Sequence, residues 1–125
     1  MLFRSDTDAV RGHPVAGKSW EGLVIEQLIG AAGAAVRPHF YRTGAGAEAD
    51  LVLEFAPDKV WAIEIKLSSA PTLERGFHNA ADDLKAERRI LVHRGQEAFP
   101  MRGGVEAMPL REAIAAVRRE VEHGY

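Results

Sequence analysis

Apolar and polar positions along the chain fall into short blocks with different periods. In residues 19–34, Trp20, Val24, Ile25, Leu28, Ala31 and Ala32 recur at helical spacing. They predict a helix with Ser19 as its N-cap and Gly33 near its end. Residues 36–43 predict a strand, and Pro38 within it suits a sheet edge. Gly44, Gly46 and the neighbouring alanines mark a turn. Residues 50–56 and 60–67 predict two strands joined at Pro57, Asp58 and Lys59, a good turn sequence. Residues 72–85 predict a second helix and residues 89–93 a short buried strand. Pro109 suits the opening of a last helix, in which Leu110, Ile114, Val117 and Val121 form an apolar stripe. The order α-β-β-β-α-β-α predicts an α/β fold, a central mixed sheet flanked by helices. Residues 1–13 are polar and aperiodic and read as a loop or a remnant of a larger protein, leaving 14–125 as one domain.

Composition narrows the function. The 125 residues are 46% hydrophobic and 27% charged, which excludes a disordered or collagen-like chain. No cysteine is present, so disulfides, thiolate metal sites and a thiol nucleophile are excluded. The net charge of −2 does not mark a dedicated nucleic-acid binder; such contact has to come from a local patch or a partner. Arginine outnumbers lysine 12 to 4. No apolar run approaches the roughly 20 residues of a membrane span, and the N-terminus lacks the apolar stretch of a signal peptide. A soluble cytoplasmic protein is expected, with no membrane partner.

Residues 12–19, GHPVAGKS, match the phosphate-cradling pattern G-x-x-x-x-G-K-[ST]. That loop needs a buried strand before its first glycine, and residues 5–11 are too polar to supply one. Pro14 also withdraws one amide from the phosphate. A chance match at a helix entry is the plainer account; nucleotide binding through Lys18 and Ser19 is the alternative.

Two carboxylates stand in apolar surroundings. On a helical wheel Glu21 falls within the arc of Val24, Ile25 and Leu28, where a charge is costly unless paired, protonated or metal-bound. Its place in the first helical turn, where an acid favours the helix N-terminus, is an equally good explanation. In the strand over 60–67, Glu64, Lys66 and Ser68 alternate with Trp61, Ile63, Ile65 and Leu67, so an acid and a lysine share one face. Asp50 joins them only if the hairpin register is right. A plain two-residue turn at Pro57 and Asp58 pairs Leu51 with Glu64 and turns Asp50 away. An odd loop or a bulge pairs Asp50 with Glu64, and that is the expectation. The two acids then demand a cation or a raised pKa. Hard oxygen donors favour magnesium or manganese, and Lys66 would neutralise phosphate or orient water. The bland alternative is an exposed Glu64–Lys66 ion pair of little worth.

At these residues the sequence resembles the PD-(D/E)xK nuclease superfamily. It is more closely similar to the uncharacterised domain at the C-terminal end of many prokaryotic AAA-type ATPases. The resembling stretches are GKSWEGLVIEQL, FYRTGAGAEADLVLEF, VWAIEIKLSSAP and the late PLREAI. The resemblance implies a three-layer α/β/α, restriction-endonuclease-like core holding Mg2+ or Mn2+. In that likeness Asp50 and Glu64 are ligands, the Ile65 carbonyl is a further ligand, and Lys66 is the water or phosphate contact. Glu21 becomes an outer or second-metal acid. Ala49 stands where the motif's proline precedes the aspartate. The implied activity is phosphodiester hydrolysis of nucleic acid, DNA first, with an AAA-type ATPase or another protein as partner. A catalytically silent interaction or regulatory domain is the alternative. A homodimer is an option that nothing in the sequence demands.

The remaining candidates are minor. His13, His39, His78, His93 and His123 show no metal-ligand spacing and read as structural or surface residues. Arg37, His39 and Tyr41 share a strand face that suits either solvent or a nucleic-acid backbone. Arg75, His78 and Asn79 are the polar candidates of the second helix. Ser68 and Ser69 read as helix caps or a strand end, and Arg118 and Arg119 match a helix C-terminus.

Overall fold

In a computed structural model, the described residues are 16–123, with side chains from Trp20 onward. Helix α1 spans Ala16–Ala32 and is followed by β1 (Arg37–Arg42), β2 (Glu48–Ala56) and β3 (Lys59–Ile65). Helix α2 (Arg75–Leu84), β4 (Arg88–His93), β5 (Phe99–Met101), a 3-10 turn (Arg102–Gly104), β6 (Val105–Pro109) and α3 (Leu110–His123) complete the order. One six-stranded sheet runs β1-β2-β3-β4-β6-β5. The pairs β1–β2, β2–β3 and β5–β6 are antiparallel, and β3–β4 and β4–β6 are parallel. The sheet is mixed, as the sequence predicts.

Helices cover both faces. Val24 and Leu28 of α1, with Ala113 and Val117 of α3, pack on Leu51, Leu53, Ile63 and Ile90. Phe77, Ala80 and Ala81 of α2 pack on Val52, Ala62 and Leu91 from the opposite side. The division follows from strand alternation, because successive side chains point to opposite faces. β3 and β4 are the central strands, and Trp61, Ala62 and Ile63, like Ile90, Leu91 and Val92, are buried in unbroken runs. Such runs belong to strands covered on both faces. Of the apolar stripe on α3, Val117 belongs to the core cluster, and Leu110, Ile114 and Val121 pack against it partly buried. Pro38 sits in β1, at the sheet edge.

Several boundaries differ from the sequence reading. Helix α1 begins at Ala16, so Ser19 lies within it and is not the N-cap. The helix does end at Gly33, whose φ of +83° suits glycine and whose N–H donates to the Ile29 carbonyl at 3.1 Å. β3 stops at Ile65, and Leu67, expected to share a face with Trp61, Ile63 and Ile65, is 45% exposed while those three are buried. α2 is shorter than predicted, and Ser68 caps no helix; its Oγ accepts from the Ala70 N–H at 3.0 Å.

The main omission is the pair β5 and β6, which makes the order α-β-β-β-α-β-β-β-α. β5 is three residues long and contains Pro100, so its pattern is too short to register. Pro109 closes β6 instead of opening a helix; it lies at a strand end that β5 does not reach. The loop or remnant expected over residues 1–13 lies outside the described residues. Among the described residues no helix is long and apolar enough to cross a membrane.

Candidate functional site at the carboxyl ends of the central strands

Two bulges in β2 build the site. Near the hairpin, Glu54 pairs with Val60 while Ala56 pairs with Lys59, so Phe55 is an extra residue. The two-residue turn at Pro57 and Asp58 is therefore present, and the bulge shifts the upstream register by one. Leu51 pairs with Ile63, which brings Asp50 opposite Glu64. On the other side of β2, His39 pairs with Val52 and Tyr41 with Ala49, leaving Asp50 and Leu51 against Phe40 alone. A bulge at this point re-aims a side chain, and Asp50 is the one re-aimed.

Asp50 Oδ2 accepts a hydrogen bond from the backbone N–H of Ile65 at 2.9 Å. Its carboxyl is half-buried and held above its ordinary range, chiefly by loss of solvent. The Ile65 N–H and Lys66 pull the other way. Glu64 is more strongly affected: burial, and then the Asp50 charge, push its carboxyl up to about 8. Lys66 opposes this shift; its Nζ lies 3.6 Å from Glu64 Oε2, and the side chains are 28% and 14% exposed. The pair is thus not the exposed ion pair that alternation alone allowed. Glu64 Oε1 is buried and has no hydrogen-bond partner.

Neither account of Glu21 holds: α1 begins at Ala16 and has no acidic residue in its first turn, and the wheel position does not bury the side chain. It is exposed, not inserted into the apolar face of α1. It is nonetheless close enough to feel both Asp50 and Lys66, and partial burial followed by the Asp50 charge raises its pKa. α1 therefore holds a third carboxyl at the rim of the Asp50–Glu64 pair. No cluster of three His, Asp or Glu side chains arranged as a metal cage occurs among the described residues. The donor set is two half-buried hard-oxygen side chains, one with an orphaned oxygen. That fits magnesium, which takes one or two carboxylates and completes its shell with water and substrate phosphate, better than a cation needing an all-protein cage.

The surroundings add groups that the sequence reading left aside. β3 and β4 are parallel, and the Lys66 N–H donates to the Val92 carbonyl at 2.9 Å, so His93 and Arg94 emerge beside Lys66. Exposed Arg94 lays its guanidinium over the Trp20 ring, 5.6 Å from the centroid, linking the end of β4 to the start of α1. Ligands of open α/β sheets gather at such strand ends. His93 is 1% exposed. Neither residue shows in a spacing pattern, because only the parallel β3–β4 pairing brings residues 27 positions apart together.

The other candidates lie elsewhere. His39 Nε2 pairs with Glu54 at 2.8 Å and the Tyr41 hydroxyl donates to Asp83 at 3.2 Å. His39 and Tyr41 are thus engaged by Glu54 and Asp83, and Arg37 lies opposite Glu54 in the β1–β2 register. Arg75 and Asn79 are exposed on α2, and His78 abuts Gly103. Of GHPVAGKS, residues 12–15 lie outside the described residues, and Lys18 and Ser19 lie in the first turn of α1.

Residues 16–113 match the family described as Domain of unknown function (DUF4143). Uncharacterised proteins of Mycobacterium tuberculosis and Mycobacterium bovis are each 39% identical over 115 residues, covering 91% of this chain and 25% of the relative. The chain spans about a quarter of the length of those curated relatives. No solved structure matches it. With a family match over most of its length, from α1 into α3, the chain belongs to the DUF4143 family.

Proposed function

We propose that this domain is a magnesium-dependent phosphodiesterase acting on nucleic acid, DNA in the first place. The observation that carries this reading is the register that sets Asp50 opposite Glu64, with the Lys66 ammonium 3.6 Å from Glu64. Mg2+ or Mn2+ would be held by Asp50 and Glu64, with the Ile65 carbonyl as a further ligand and Glu21 as an outer acid. It would supply Lewis acidity and an activated water.

The chain's own groups do the rest. The Ile65 N–H fixes Asp50, so one carboxylate is oriented before any ligand arrives. Glu64 keeps its proton near neutral pH because burial and the Asp50 charge disfavour its carboxylate. The Lys66 ammonium faces negative charge developing on the phosphoryl oxygens. Arg94, at the rim over Trp20, contacts the phosphate backbone and sets where the strand enters.

The test is cleavage of plasmid and short oligonucleotides with magnesium, with and without chelator. Wild-type protein should cut only with the metal, and Lys66→Ala should lose on the order of 100-fold in rate. Equal cleavage by that variant would falsify the reading.

A second reading is a catalytically silent interaction or regulatory domain, with an AAA-type ATPase or another protein as partner. What favours it is the net charge of −2, which does not mark a dedicated nucleic-acid binder. Magnesium binding without cleavage under any condition, together with capture of a defined ATPase partner, would select it. Nucleotide binding through Lys18 and Ser19 ranks last; ATP that leaves the melting temperature unchanged would remove it.

A further inference from the structure

Two buried side-chain atoms lack a hydrogen-bond partner among the described residues: Glu64 Oε1 and His93 Nε2. They are not scattered. Glu64 lies opposite Leu91 in the parallel β3–β4 register, so His93 is two residues further along β4 and on the same face. Strand spacing and rise then put their Cα atoms roughly 8 Å apart, within reach of a glutamate and an imidazole extending toward each other.

Their chemistry is complementary. His93 Nδ1 accepts the Gly95 N–H at 2.8 Å, which leaves Nε2 as the nitrogen that bears a proton. An orphaned donor therefore lies near an orphaned acceptor. The ring is held firmly. Phe99 stacks on it at 5.2 Å between centroids and 21° between planes. A Cβ at Gly95 would come within 3.1 Å of the imidazole and 3.3 Å of Ser69 Cβ, so the loops after β3 and β4 close over it together. Buried polar groups in native proteins are satisfied, commonly by one internal water making two or more bonds.

We propose that His93 is a positioning residue for Glu64, its Nε2–H and Glu64 Oε1 sharing one buried water. The imidazole thereby fixes the carboxyl that faces Asp50 and Lys66. The contact stands by itself; its role in cation binding rests on the phosphodiesterase reading. Partners of this kind behind a metal ligand typically affect metal affinity 10–100-fold when lost.

The metal-free protein provides the first test, by NMR of the imidazole nitrogens. The expected result is a single Nε2-protonated tautomer whose Nε2–H signal shifts in Glu64→Gln and stays put in Glu54→Gln. An Nδ1-protonated ring, or a signal indifferent to Glu64→Gln, overturns the proposal. The second test is Mn2+ affinity without nucleic acid. His93→Phe keeps an aromatic ring against Phe99 but deletes the donor, and should weaken Mn2+ about tenfold. His93→Gln restores a donor and should stay within about threefold of wild type. Equal affinity in folded His93→Phe overturns the positioning role. If wild type binds no Mn2+ while the imidazole signal responds to Glu64→Gln, the phosphodiesterase reading fails and the His93–Glu64 link stands.

Discussion

Asp50 Oδ2 accepts from the Ile65 backbone N–H at 2.9 Å, so a side chain of β2 takes a place in the ladder where β3 ends. This bond ties the candidate site to the fold, because the residue that presents a carboxylate also satisfies the backbone N–H of the last residue of β3. It separates two substitutions. Asp50→Asn keeps an acceptor and should retain wild-type stability. Asp50→Ala leaves the Ile65 N–H unsatisfied and should cost about 1–3 kcal/mol in urea denaturation. Equal stability of the two variants would show that the bond contributes nothing. On the metal reading, both lose Mn2+ binding.

Glu64 predicts a pH dependence whose sign is unusual for a carboxylate. Its folded-state pKa, about 8, is raised above the value of 4.5 expected for the unfolded chain. Between these values the folded state binds more protons, so stability falls as pH rises. The contribution is fully present below about pH 4.5 and is lost as pH climbs through about 8. Glu64→Gln should remove this decline. Thermal melts of the metal-free protein at pH 9 should show the variant higher by several degrees, about the effect of 1–2 kcal/mol on a domain of this size. A variant that melts lower than wild type at pH 9 would contradict the assignment. Mn2+ binding by wild type should tighten over the same interval, as the competing proton leaves.

Gly76 offers a test of how the turn before β2 is held. It is the second residue of α2, where alanine is normally preferred by about 1 kcal/mol. A Cβ there would lie 2.5 Å from the Gly46 carbonyl oxygen. Gly46 has φ of +97° and belongs to the turn leading into Asp50. Backbone on both sides leaves little room to yield, so Gly76→Ala should destabilise by about 1–3 kcal/mol instead of stabilising. A gain in stability would refute this packing.

Arg94 tests the rim. Arg94→Ala should weaken DNA binding measured in Ca2+, similarly for all sequences, and lower the slope of log affinity against log salt by about one. Its exposed contact with Trp20 is worth only about 0.5–1 kcal/mol, so the melting temperature should move little. An unchanged salt slope would remove Arg94 from the interface.

The hairpin shows where sequence reasoning reached and where it stopped. Alternation put Glu64 and Lys66 on one face and demanded an odd loop or a bulge to bring Asp50 across. The strand pairing contains a two-residue turn together with a bulge at Phe55. Glu21 marks the opposite case. A wheel places it in the apolar arc, but a helix end can overhang the sheet, and the side chain is exposed at the rim. β5 and β6 escaped because three residues carry no period and Pro109 serves a strand end as well as a helix start.

Local pattern by itself determined the helices, the central strands and the acid–lysine face, because periodicity reflects which side of an element meets water. Tertiary structure alone decided the rest: the second bulge that turns Asp50, the strand order that sets His93 and Arg94 beside Lys66, and the burial that lifts Glu64. Those properties depend on contacts between residues far apart in the chain, and a one-dimensional pattern carries no record of which distant strand becomes a neighbour.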